Sequence, residues 1–199
     1  MKQTLILTAL LASLAASQAQ ENLPREEALK VAFIVSADLK QLLSTPIPTD
    51  PDVKRPVAVR AGDRGGLVLP ECKLTAGVLA KAGKDVVPLG QLWLRHAVPQ
   101  SEGQPVSQAK LLTVTVGSGD KASAACLCAL GLRKDADGKL ELLVYGKDKE
   151  PIIKAPIKEI SDPQQENPLE ISAEPQGESA LVTLKIVGRY EASFTVVPD

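Results

Sequence analysis

The chain of 199 residues has few of the side chains that usually carry chemistry: one histidine, three cysteines and five aromatics, Phe33, Trp93, Tyr145, Tyr190 and Phe194. With His96 alone, any Ser-His-Asp or Cys-His arrangement must use that residue. A zinc hydrolase of the H-E-x-x-H type, which needs two histidines, is excluded. No G-x-S-x-G surrounds a serine, and "TVGSGDK" lacks the lysine-serine pair of a phosphate loop, so it reads as a turn. The scarcity of rings argues against surfaces that stack sugars or single-stranded nucleic acid on aromatic platforms. A basic excess is missing too. Lys and Arg number 23 against 24 Asp and Glu, and "DVKRP", "GLRKDADGK" and "YGKDKE" mix both signs, so nucleic acid is not an expected partner.

Long apolar runs are absent except at the start. "MKQTLILTALLASLAASQAQ" places Lys2 before an apolar stretch, Leu5 to Ala16, with Ser17 and Ala19 at the −3 and −1 positions of a cut after Ala19. That pattern predicts a secretory signal peptide over 1–19. The stretch is shorter than the roughly 20 residues a spanning helix needs, and no second one follows, so no transmembrane segment is expected in the mature chain. Without a cysteine near the cut, lipid anchoring is disfavoured. The expected location is exported, periplasmic or extracellular, in a bacterial cell envelope. The cut removes Lys2 and no acid, which leaves the mature chain within a few charges of neutral.

What is present is material for a core: 44% of residues are hydrophobic, and roughly 180 mature residues can bury one without staples. Residues 20–45 predict an amphipathic helix. Asn22 is its expected cap, Pro24 suits the first turn, and Glu26 and Glu27 suit the helix dipole. Ala28, Val31, Ala32, Val35, Leu39, Leu42 and Leu43 recur on one face; a strand at "KVAFIV" is the rival. Pro46, Pro48, Pro51 and Pro56 make 46–56 a linker or a surface strap.

From residue 57 to 199, short strand-like segments alternate with turn chemistry, and "TAGVLAKAG" is a short helix closed by Gly83. The expected fold is mainly β: an antiparallel β-sandwich or distorted barrel. "PIIKAPIK", with Pro151 and Pro156, is confined to a sheet edge. "RKDADGK" predicts a hairpin with Gly138 in the left-handed region. Near the C-terminus, a loop of Val187 to Arg189 sets Ile186 against Tyr190 and Leu184 against Ala192, keeping one dry face; one long strand bent at Gly188 also preserves parity. "SDPQQENP" and "EPQGES" read as loops.

Cys126 and Cys128 flank Leu127 in "AACLCALGL". On a strand their α-carbons lie about 6.6 Å apart, and a disulfide needs β-carbons about 4 Å apart, so the two cannot bridge each other in an unbroken strand. They share a face with Ala124, Leu130 and Leu132, while Leu127 and Ala129 occupy the other. A strand apolar on both faces is central and covered, which makes them small core residues. Two alternatives stay open. Cys72 can pair with one of them in an oxidising compartment, or Cys72, Cys126, Cys128 and His96 can converge as a metal or thiol-redox site.

His96 is placed on the strand face of Leu92 and Leu94, with Trp93, Gln91 and Arg95 on the other. A Trp beside Arg and Gln matches the composition of a contact hot spot, and packing explains it equally. Glu71, Asp85, Glu141 and Glu170 could serve glycoside hydrolysis only if two met in a cleft. The expectation is therefore an exported, non-catalytic binding or structural module without a cofactor. Its partner would be an envelope protein, a polysaccharide or a second copy; the alternative is an exported metal-binding or thiol-redox protein.

Overall fold

The computed structural model describes residues 20–42, 45–119 and 122–199, so the expected leader lies outside the described residues. In chain order the first elements are β1 (Glu21–Asn22), α1 (Arg25–Leu42), β2 (Val57–Ala61), β3 (Arg64–Pro70), α2 (Ala76–Leu79), β4 (Val87–Arg95), β5 (Val98–Ser101) and β6 (Gln104–Pro105). There follow β7 (Leu112–Val116), β8 (Ser123–Lys134), β9 (Leu140–Tyr145), β10 (Pro151–Pro156), β11 (Lys158–Glu159), β12 (Leu169–Gln176), β13 (Ser179–Ile186) and β14 (Tyr190–Val197). They form two antiparallel sheets. The larger runs β1-β2-β3-β4-β8-β9-β10, with β7 beside β8, and the smaller runs β12-β13-β14-β5-β6, with β11 beside β14. The two face each other as a β-sandwich and do not close into a barrel.

Strand β8 explains the architecture. Its residues are buried from Ala125 to Leu132 on both faces. One face, with Cys126, Cys128, Leu130 and Leu132, joins the core between the sheets; Leu127 and Ala129 belong to patches on the outside of the larger sheet. A sheet apolar on both sides needs two covers. The smaller sheet is one. The other is α1, whose Ala28, Ala32 and Val35 bury against Leu67, Leu69, Trp93 and Leu127, together with the proline-rich strap, whose Ile47 packs against the patch of Ala129, Leu143 and Tyr145. The strap is pinned: the Asp50 N–H donates to both Glu71 carboxylate oxygens at 2.9 and 3.0 Å, and the Asp52 N–H to the Pro70 carbonyl at 2.7 Å.

The expected helix thus forms, with Ala28, Val31, Ala32 and Val35 inward and Phe33 and Ile34 exposed. Leu39, Leu42 and Leu43 lie outside the described side chains. Asn22 does not cap it. That residue extends β1 opposite Val59, and the first helical N–H groups bond instead to the Pro24 carbonyl. Both hairpins form, and the C-terminal one has the expected register. Gly138 takes φ +80° and donates to the Asp135 carbonyl; Ile186 faces Tyr190 and Leu184 faces Ala192 across a loop turned by Val187 and Gly188, which excludes the single bent strand. β10 lies at a sheet edge as its prolines require. "EPQGES" is corrected: Glu174 to Gln176 continue β12, and only Gly177 and Glu178 turn. Pro175 fits there because β12 is itself an edge strand. Gly90 is indispensable at the irregularity of β4. At φ +138°, a Cβ would stand 2.0 Å from the Leu69 carbonyl oxygen.

Candidate functional site

The segment from Val87 to Val98 does not run through as one strand. β4 stops at Arg95, His96 adopts φ +51°, and the chain crosses to β5 in the other sheet. This corner buries Ala97 between the sheets, at the back of a cleft of about 480 Å³. Val59 and Leu94 of the larger sheet form one wall and Ile171, Ala173, Val182 and Val196 of the smaller sheet the other. The cleft exists because side chains are small there. Gly66, on the inner face of β3, lets Ile171 and Val59 pack close to the backbone, where a Cβ would lie 3.0 Å from Ile171 Cδ1 and 3.3 Å from Val59 Cγ2. Ala97, Ala173 and Ala180 present only methyls to the space beside them.

The rim is polar. Arg60 pairs with Glu21 at 3.0 Å, and Arg64 donates to the Glu178 carbonyl at 3.3 Å. Gln20 spans the two sheets at this side: the chain leaving it pairs with β2, while its Oε1 accepts from the Ala173 N–H on β12. A second cavity of about 240 Å³ opens on the other face of the larger sheet under α1, beside Val31, Trp93 and Ala125. Of these two, the inter-sheet cleft falls in the size range of small-molecule sites, about 300 to 1,000 Å³. No family model, curated protein or solved structure matches this chain.

Trp93 and Gln91 are not a presented contact surface. Each is 3% exposed, and they form a buried chain in which Trp93 Nε1 donates to Gln91 Oε1 at 3.2 Å and Gln91 Nε2 to Thr49 Oγ1 at 2.9 Å. The strap and α1 cover both, which answers the choice between packing and contact: the Trp packs beneath the helix. Arg95 alone of the three is exposed. His96 is corrected as well. The corner turns it off the Leu92 and Leu94 face, and its Nδ1 lies 3.4 Å from Asp63 at the surface.

The four residues of the metal alternative do not meet. Cys126 and Cys128 are buried between the sheets, their Sγ atoms 3.8 Å apart, whereas Cys72 is exposed and His96 turns outward. Among the described residues no group of three or more His, Cys, Asp or Glu stands close enough to hold a metal. All three thiols are free. The hydrogen bond to Cys126 and burial push the Cys128 thiol well up, and burial with Asp50, Asp52 and Glu71 pushes Cys72 up. Cys126, the other member of the pair, is pulled down by its hydrogen bond with Cys128 against the opposing effect of burial, and it lies enclosed between the sheets, whereas a reactive thiol is also accessible.

Of the four carboxylates singled out, Glu71 is held by the strap, Glu141 pairs with Arg133 at 2.7 Å, and Glu170 accepts from the Glu166 and Asn167 N–H groups; none lines the cleft. The residues that make the cleft were not singled out in the sequence. Their one signal was "RGGLVLP", where two adjacent glycines fall inside a strand, a sign of close approach by another group.

Proposed function

We propose that this protein is an exported, non-catalytic binding module whose ligand occupies the cleft between its two sheets. The observation that carries this reading is a space of about 480 Å³ with aliphatic walls, bordered by the small residues Gly66, Ala97, Ala173 and Ala180 at a level where the sheets would otherwise meet in a core. An apolar concavity with a few polar groups at its mouth is the usual form of a small-molecule site. The leader-like residues 1–19 support export, and the absence of an arrangement for acid–base or nucleophilic work in the cleft lining supports binding.

Dodecanol, an uncharged aliphatic probe, tests the cleft. Heteronuclear NMR of the protein with added dodecanol is expected to shift the methyls of Val59, Leu94, Ile171, Val182 and Val196 together. Gly66→Leu, or Ala173→Leu from the facing sheet, fills the space and abolishes those shifts. Shifts scattered over the surface, or undiminished in both variants, would sink the reading. Export is tested separately by the intact mass of protein recovered from the envelope fraction, which is expected to begin at Gln20; a mass retaining residues 1–19 counts against it.

A further inference from the structure

The lining of the cleft is asymmetric in charge as well as in polarity. Among the described residues that border it, the charged ones are Arg60 and Arg64, and no carboxylate is present. Arg60 is already engaged by Glu21. Arg64 has no such partner among the described ion pairs: it spends one N–H on a carbonyl, that of Glu178, and a guanidinium carries five donors in a planar fork. The walls behind it bear no aromatic ring and few donors or acceptors. A sugar would lose water from its hydroxyls without finding partners there, and a flat ring system would find nothing to stack on. An aliphatic chain would lose neither.

We infer that the ligand is a single-chain anionic amphiphile, its hydrocarbon tail between the sheets and its head group on Arg64. This rests on the cleft being the binding site and adds the chemical class of its occupant. Arg64 borders the cleft and reaches across to the Glu178 carbonyl in the β12–β13 turn of the facing sheet, so the cation stands at its rim. A carboxylate is the simplest head that matches the fork, through paired N–H donors. The tail makes only dispersion and hydrophobic contacts, which favour it without regard to charge. Preference for the anion must therefore come from the rim.

Three amphiphiles with the same twelve-carbon tail separate the contribution of the tail from that of the head: dodecanoate and dodecyltrimethylammonium, each kept below its micelle concentration, and dodecanol, kept below its solubility limit, all titrated calorimetrically. Dodecanoate is expected to bind at least tenfold more tightly than dodecanol, and the cation more weakly than either. Arg64→Gln should reduce dodecanoate to the affinity of dodecanol while leaving dodecanol and the thermal midpoint unchanged, and Arg64→Lys should restore part of the preference. Equal binding of acid and alcohol, tighter binding of the cation, or a preference that survives Arg64→Gln overturns the head-group assignment and leaves the cleft as a binding site. Failure of all three probes to bind overturns both.

Discussion

The two ends of the sandwich share β12 and β13 of the smaller sheet and differ in what fills the space between these strands and the larger sheet. The larger sheet contributes β8 and β9 at one end and β2, β3 and β4 at the other. At one end Leu130, Leu132, Leu142, Leu169, Leu184 and Ile186 interlock with no exposed surface at all. At the other, further along β3, β12 and β13, the facing positions are Gly66, Ala173 and Ala180, and the gap persists as the cleft. The backbone spacing of paired sheets is much the same along their length, about 10 Å, so side-chain volume decides whether the interval is core or cavity. If the proposed function holds, stability and binding fall to opposite ends of one layer. The cleft end can give up packing because the other end and the helix-covered outer face supply the core.

The comparison can be broken most forcefully at the closed end. Leu184→Ala is expected to cost about 2 to 5 kcal/mol, since the removed methyls leave a cavity that a tightly packed layer cannot collapse to fill. Urea denaturation measures it. A loss below about 1 kcal/mol would mean that this end is as loose as the other.

Ligand linkage sharpens the open end. Dodecanol at about a hundred times its dissociation constant should raise stability by about 2.7 kcal/mol in the wild type. It should add nothing to Gly66→Leu. A rise of the same size in that variant would place the bound probe elsewhere.

A smaller contrast comes from Gly66→Ala. The new methyl meets the far end of Ile171, a side chain with open space beside it, so the expected change in the urea midpoint corresponds to less than about 1 kcal/mol. A cost as large as that of Leu184→Ala would show that the cleft walls are as rigid as the core.

The smallest effect concerns the turn region of the closed end, where Lys185 of β13 bonds Asp162 at 2.7 Å and holds its carboxyl below the usual aspartate range. A carboxyl that is more acidic in the folded chain stabilises it at pH above the unfolded pKa, and that contribution disappears as pH falls through the lowered folded value. Wild type should therefore exceed Asp162→Asn in thermal midpoint slightly at neutral pH, and the two should converge on acidification through the aspartate range. A gap that widens toward acid would reverse the assigned sign.

Much of the fold was legible in the sequence because it rests on local rules. The alternation of Val182, Leu184 and Ile186 with polar neighbours set the register of the last hairpin, and "DADG" contained its own turn. Apolar residues on both faces around Cys126 and Cys128 announced a covered central strand. What misled were residues whose neighbours in space come from far along the chain. Trp93 resembles a contact residue until α1 and Thr49 of the strap are seen to close over it and its Gln91 partner. His96 resembles a strand residue until its positive φ carries the chain to the second sheet.

The sequence by itself determined the strand alternation, the two-sided apolarity of β8, the edge placement of β10 and the poverty of catalytic side chains, since each depends on residue type and spacing alone. Only the tertiary structure decided which sheet each strand joins, that Cys72 and His96 stay away from the buried Cys126–Cys128 pair, and that Gly66 packs closely on Ile171 beside the cleft. The physical reason is that a cavity is a property of two surfaces at once. Small residues on one strand look like a turn or a weak strand until residues far along the chain, here Ile171 against Gly66, pack beside them and leave the neighbouring space unfilled.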